Sequence, residues 1–181
     1  NLHILLHKNM PPYYFDKYER KPYIKIIIEN FQDNISEEKI AEFIDPYNEL
    51  WPIITDSNSL EAKIDLNTTH KKTDGIKQLV NQGVIPVICG FLGKGPSGEI
   101  TTLGRGGSDT SACILGSALK ADLIEIYTDV DGMMTADPRI VNNATLIENI
   151  SYKEVFQFAN QGVKVIHPRA VSFAKEANIP I

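Results

Sequence analysis

Between Thr101 and Ser111 the chain reads Thr-Thr-Leu-Gly-Arg-Gly-Gly-Ser-Asp-Thr-Ser. Glycines at 104, 106 and 107 let the backbone take positive φ and approach a ligand closely. An apolar helical run from Ala112 to Leu119 follows. Ser108 or Asp109 suits the N-cap of that run, because either side chain accepts a bond from a backbone N–H in the first turn. A glycine loop feeding a helix presents N–H groups and the positive end of the helix dipole to one point, which is the chemistry of an anion site. Arg105 adds a planar fork suited to a carboxylate or a phosphate. A tight turn capped by Asp109 would account for the glycines alone. Arg105, Ser108 and Asp109 gathered around them favour an anion-handling site.

The flanking segments set the fold class. Val84 to Cys89 is a continuous apolar run, as expected of a strand buried on both faces in a parallel sheet. Leu123 to Tyr127 is a second such strand. Thr73 to Gln82 reads as an amphipathic helix closed by Gly83. Ser151, with Glu154 three residues on, opens a helix over 151–161. Arg169 to Asn178 forms a last helix after His167-Pro168, where the histidine reads as structural, and Val163 to Ile166 is expected to be extended. Ile53 to Thr55 is a short strand, and Gly95 to Gly98 a turn. Residues 1–50 are less regular. Tyr23 to Ile28 favours a strand by its β-branched content, Ser36 opens a helix through Phe43, and the Pro11-Pro12 region reads as a loop. Leu2 to Leu6 is too short for a signal peptide. Strands alternating with helices indicate an α/β domain with a mainly parallel sheet, whose ligands are met at the carboxyl ends of strands. The loops after Cys89 and Tyr127 hold those places.

Composition narrows the partners. The 181 residues carry a formal net charge of -5. No basic run of five or more occurs, so neither nucleic acid nor a membrane surface is expected as partner. No apolar stretch is long enough to span a bilayer. Cys89 and Cys113 read as reduced, buried thiols of a cytoplasmic protein. No CxxC spacing occurs, so no protein-built zinc site is expected. Asn1 is not a start methionine, which suggests a chain lacking its beginning.

The second polar loop runs Thr128-Asp129-Val130-Asp131-Gly132-Met133-Met134-Thr135-Ala136-Asp137-Pro138-Arg139. Thr128 and Asp129, ending a buried strand, are placed to meet a ligand. Its carboxylates suit a magnesium ion shared with phosphate, and Arg139 suits phosphate itself. Asp131 and Asp137, taken singly, read as turn residues. Lys164 could reach phosphate or simply face solvent. With no GxxxxGK[ST] run, the chain is not a P-loop protein. An anion loop beside a loop suited to a metal-nucleotide fits phosphoryl transfer, where positioning and charge neutralisation do most of the work.

These motifs together resemble the aspartokinases. The resemblance rests on Gly90-Phe91, Thr101 to Asp109, Tyr127 to Gly132, Thr135 to Arg139 and Gly162 to Pro168, in that order, and covers residues 51–181. It implies the amino-acid-kinase fold, a three-layer α/β sandwich around a mainly parallel sheet. It implies ATP-dependent phosphorylation of L-aspartate to 4-phospho-L-aspartate, the entry to lysine, threonine and methionine, with ATP and magnesium as cofactors and a homo-oligomeric enzyme. Arg105 would grip aspartate, with Gly106, Gly107, Ser108 and Phe91 lining its site. Asp109 and Lys164 would be catalytic. Thr128, Asp129, Met134, Thr135, Ala136, Asp137, Pro138, Arg139 and Lys164 would hold the nucleotide. Met134 stands where many members have an aromatic, and Val163 where alanine is usual. The family's opening Lys-Phe-Gly-Gly strand and a later Gly-Glu pair are not found, and residues 1–50 match poorly. A 181-residue chain alone is therefore expected to show little activity. The alternatives are another kinase of this fold, acting on glutamate, carbamate or UMP, and a non-catalytic fragment.

Overall fold

A computed structural model of the chain describes residues 2–7, 23–28, 41–128, 130–160 and 165–181, the first two stretches as backbone strands. The central sheet holds β1 (Leu2–His7), β2 (Tyr23–Ile28), β3 (Ala41–Ile44), β4 (Ile85–Cys89) and β7 (Leu123–Tyr127), in the order β3-β4-β2-β1-β7. β3 is parallel to β4 and β1 to β7, while β2 runs against both its neighbours. Four of the five strands thus point one way, as a mainly parallel sheet requires. β4 is not flanked by parallel strands on both sides, and its residues alternate between half-buried and buried before ending in buried Cys89.

A separate hairpin, β5 (Leu92–Lys94) and β6 (Ile100–Thr102), turns at Gly95–Gly98. Ile53–Thr55 contributes only isolated bridges, Ile54 to Lys94 and Thr55 to Ile64, rather than a full strand. The helices are α1 (Leu66–Asn81), α2 (Gly107–Leu119), α3 (Tyr152–Asn160) and α4 (Pro168–Ala177). α1 and α2 pack on the sheet, α4 packs on α2, and α3 packs on α4.

Three sequence expectations are corrected. The helix expected through Phe43 gives way to β3 at residues 41–44, because pairing with β4 outweighs the helix preference of Ala41 and Glu42; residues 36–40 lie outside the described residues. α1 begins seven residues before Thr73, where Asp65 caps it by accepting from Thr68 N at 3.1 Å. Its first turns are polar, yet Thr69 and Thr73 are buried, and Thr69 Oγ1 accepts from Ile54 N at 3.0 Å. α2 begins at Gly107 with Gly106 as its cap, so Ser108 and Asp109 lie inside the first turn.

The capping box at Ser151 and Glu154 forms as expected, with Glu154 Oε2 accepting from Ser151 N at 2.9 Å. His167 is structural, as read: its Nδ1 caps α4 by accepting from Arg169 N, and Pro168 follows at the first helical position. Of the extended segment expected at 163–166, residues 163 and 164 lie outside the described residues, and 165–166 form a bend.

The core centres on α2, which is buried on nearly every side, including Asp109, Thr110 and Ser111 of its polar first turns. Its Ile114 and Leu115 are fully buried, as are Trp51, Ile44, Ile53, Ile76, Ile88 and Leu103 from other parts of the chain. Cys89 and Cys113 are buried and form no disulfide with each other. Burial, with the Asp109 carboxylate nearby, pushes the Cys113 thiol up to about 12. Among the described residues no helix is long and apolar enough to cross a membrane.

Candidate active site

The carboxyl end of β4 runs straight into Gly90 and Phe91, and β6 delivers the chain to the glycine loop. Phe91 holds a left-handed backbone, φ 73°, a strained state for an aromatic residue. It is kept there by two bonds: Phe91 N donates to Ser111 Oγ at 3.0 Å, and Leu103 N donates to Phe91 O at 2.9 Å. The same Ser111 hydroxyl donates back to Gly107 O at 2.9 Å. The strand end and the helix start are thereby fastened together.

Phe91, Gly104, Arg105, Gly106, Gly107, Ser108 and Asp109, with Leu60 and Thr102, line one cleft of about 610 Å3. All five residues expected to bind substrate, and Asp109, are therefore brought to one place. Arg105 is exposed, whereas Asp109 is 5% exposed. Asp109 lies in the first turn of α2, where the helix dipole favours a negative charge. Its Oδ2 also accepts from His167 N at 3.2 Å.

Two glycines are demanded by contact. A Cβ on Gly106, φ +67°, would stand 2.3 Å from His167 Cβ and Cγ. A Cβ on Gly107 would stand 2.7 Å from Phe91 Cδ2. The loop is pressed between the 90–91 corner and the start of α4.

The second loop folds separately. After β7 ends at Tyr127, Thr128 lies at the strand's carboxyl end, and Asp129 lies outside the described residues. Met134 bridges to Leu146, Thr135 N donates to Thr145 O at 2.9 Å, and Thr145 N donates to Thr135 Oγ1 at 3.0 Å. Asp137, Pro138 and Arg139 form a turn at the surface. Asp137 Oδ1 accepts from Arg139 N at 2.9 Å, and Arg139 Nη2 lies 2.7 Å from Asp137 Oδ2. That guanidinium holds the Asp137 carboxyl down at about 2. None of Met134, Thr135, Ala136, Asp137, Pro138 and Arg139 belongs to the cleft lining given above. Lys164 also lies outside the described residues.

The depressed Asp137 carboxyl gives a direct check. Arg139→Ala is expected to bring its titration midpoint back up toward 3.8, read from the pH dependence of its carboxyl carbon resonance. Because the folded carboxyl titrates below its ordinary value, whatever support the pair lends is complete above about pH 4 and fades as pH falls toward 2. The pair is exposed, so the melting temperature at pH 7 is expected to stay put.

Leu60 and Thr102 line the cleft beyond the residues expected to bind substrate. Leu60 belongs to the polar loop before α1 and carries no motif. Thr102 Oγ1 donates to Leu60 O at 2.7 Å, and Ala62 N donates to Thr102 O at 2.9 Å, which brings that loop to the cleft rim. Pairings this far apart in sequence leave no local signal.

Residues 40–181 match the model of the amino acid kinase family. The chain belongs to the amino acid kinase family. Over 109 residues it is 51% identical to an aspartokinase of Geobacillus stearothermophilus, covering 60% of this chain and 27% of that one. Over 128 residues it is 45% identical to the aspartokinase of Rickettsia prowazekii, covering 71% of this chain and 28% of that one. Its fold superposes on Escherichia coli aspartokinase III, solved in complex with aspartate and ADP, with a TM-score of 0.69 and 34% identity over 77% of this chain and 30% of that one. The chain thus spans between a quarter and a third of the length of these relatives. The α/β architecture around a mainly parallel sheet is the amino-acid-kinase fold, as the motifs implied.

Proposed function

We propose that this chain carries the nucleotide- and aspartate-binding part of an aspartate kinase, which transfers the ATP γ-phosphoryl group to the side-chain carboxylate of L-aspartate. One observation carries the reading: Phe91 and residues 105–109 share one cleft. The likeness to aspartokinase III, bound to aspartate and ADP, supports it.

In this reading the Arg105 fork holds the substrate α-carboxylate through two bonds. The loop and the positive end of α2 offset the charge that gathers as two anions meet. A side-chain carboxylate oxygen of aspartate attacks the γ-phosphorus, the bond to the ADP oxygen breaks, and an acyl phosphate results. Asp109, buried at the head of the loop, sits near the transferring group and orders it. Thr128, Asp129, Lys164 and the 134–139 stretch hold the nucleotide, for which Arg139 must exchange Asp137 for phosphate. Asp109, the buried carboxylate of the cleft, would hold magnesium together with ATP phosphates and water, and the ion would supply charge neutralisation there. The enzyme works in the cytoplasm as a homo-oligomer.

The test is Arg105. Arg105→Ala in the intact protein is expected to raise KM for L-aspartate by about 10²-fold, the cost of losing a two-point ionic hydrogen bond, and to leave KM for ATP within about twofold. An unchanged aspartate KM would contradict the assignment.

A further inference from the structure

The start of α4 touches the glycine loop and its flanks at four points, contacts that the aspartate reading does not assign. Arg169 Nη2 donates to Leu103 O, just before the loop, and Arg169 Nε lies 3.4 Å from Thr110 Oγ1, just after it. His167 packs against Gly106 at its middle, and its backbone N donates to Asp109. Thr110 Oγ1 itself donates to Gly106 O at 2.8 Å, so the Arg169 fork reaches the loop apex through one intermediary. One planar side chain therefore spans the loop from entry to exit. A guanidinium suits this bridge, because its N–H groups diverge at fixed angles and meet two acceptors with little loss of freedom. Arg105 lies between the two bridged points and is exposed where it lines the cleft.

We propose that Arg169 is a positioning residue for the substrate loop, locking the backbone between Leu103 and Thr110 so that Arg105 presents its fork to the substrate carboxylate. The inference rests on the aspartate reading and deepens it. Arg169 does not line the cleft, so it acts through the loop and not on the substrate. A lysine can reach one acceptor but not both at fixed angles.

The experiment uses the intact protein and three forms: parent, Arg169→Lys and Arg169→Ala. Each is measured for melting temperature and for the KM of L-aspartate and of ATP separately. Arg169→Ala is expected to raise the aspartate KM about tenfold, with the ATP KM within about twofold. Millimolar guanidinium is expected to restore part of the loss, while Arg169→Lys keeps the parent melting temperature but recovers less than half of it. A fall in melting temperature with both KM values unchanged would overturn the proposal in favour of a purely structural role. Equal rises in both KM values, with no guanidinium rescue, would overturn it as well. A parent enzyme that turns over ATP without regard to aspartate would instead overturn the substrate reading, and with it the role of Arg169 toward aspartate.

Discussion

Replacing Gly106 with alanine is expected to abolish most activity and to lower stability together. Two costs coincide at this residue. Its φ of +67° suits glycine and strains any side chain. The new Cβ would also stand 2.3 Å from His167 Cβ and Cγ. His167 has little room to yield: it caps α4 and donates its backbone N to Asp109. The loop or the start of α4 must move. Left-handed strain and overpacking together are expected to cost about 2–5 kcal/mol. That lowers the melting temperature by several degrees. A displacement of about 1 Å in a substrate-holding group costs about 10²-fold in rate, and here both Arg105 and Asp109 shift, so kcat/KM is expected to fall by about 10³-fold. Thermal melting and steady-state kinetics on the same preparation check both. A folded variant with parent kinetics would mean that the loop does not hold substrate.

Asp109→Asn should separate the two effects. The amide nearly matches the carboxyl in shape, and its oxygen still accepts from His167 N. What is lost is a negative charge in the first turn of α2, worth about 0.3–1 kcal/mol. The melting temperature is expected to move by only a few degrees. If Asp109 orders the transferring phosphoryl group, kcat is expected to fall by about 10²–10⁴-fold with the aspartate KM little changed. Nearly full kcat in Asp109→Asn would remove Asp109 from the chemistry and leave it as support for the start of α4.

The legible parts of this fold were those written in local pattern. β7 and the capping box at Ser151 came from runs of a few neighbours. The cleft was legible in its list of residues because one contiguous stretch, 104–109, supplies most of it. Its geometry was not. Ser108 and Asp109 are sound N-cap residues in isolation, but Gly106 took the cap because its left-handed backbone turns the chain into α2 one residue before Gly107 can be spared. The start of α1 was hidden because its first turns are polar, and Thr69 is buried only through its bonds with Ile54, fifteen residues away. β3 was hidden because only β4 makes it a strand. Arg169 carried no signal, since both its partners lie about sixty residues away.

The most direct measurement is ADP release by the intact protein with ATP and magnesium, comparing L-aspartate, L-glutamate and UMP as acceptors. The account predicts turnover that depends on L-aspartate, with an acid-labile, hydroxylamine-reactive product as an acyl phosphate requires, and little with the other two. Turnover that favours glutamate or UMP over aspartate would contradict it.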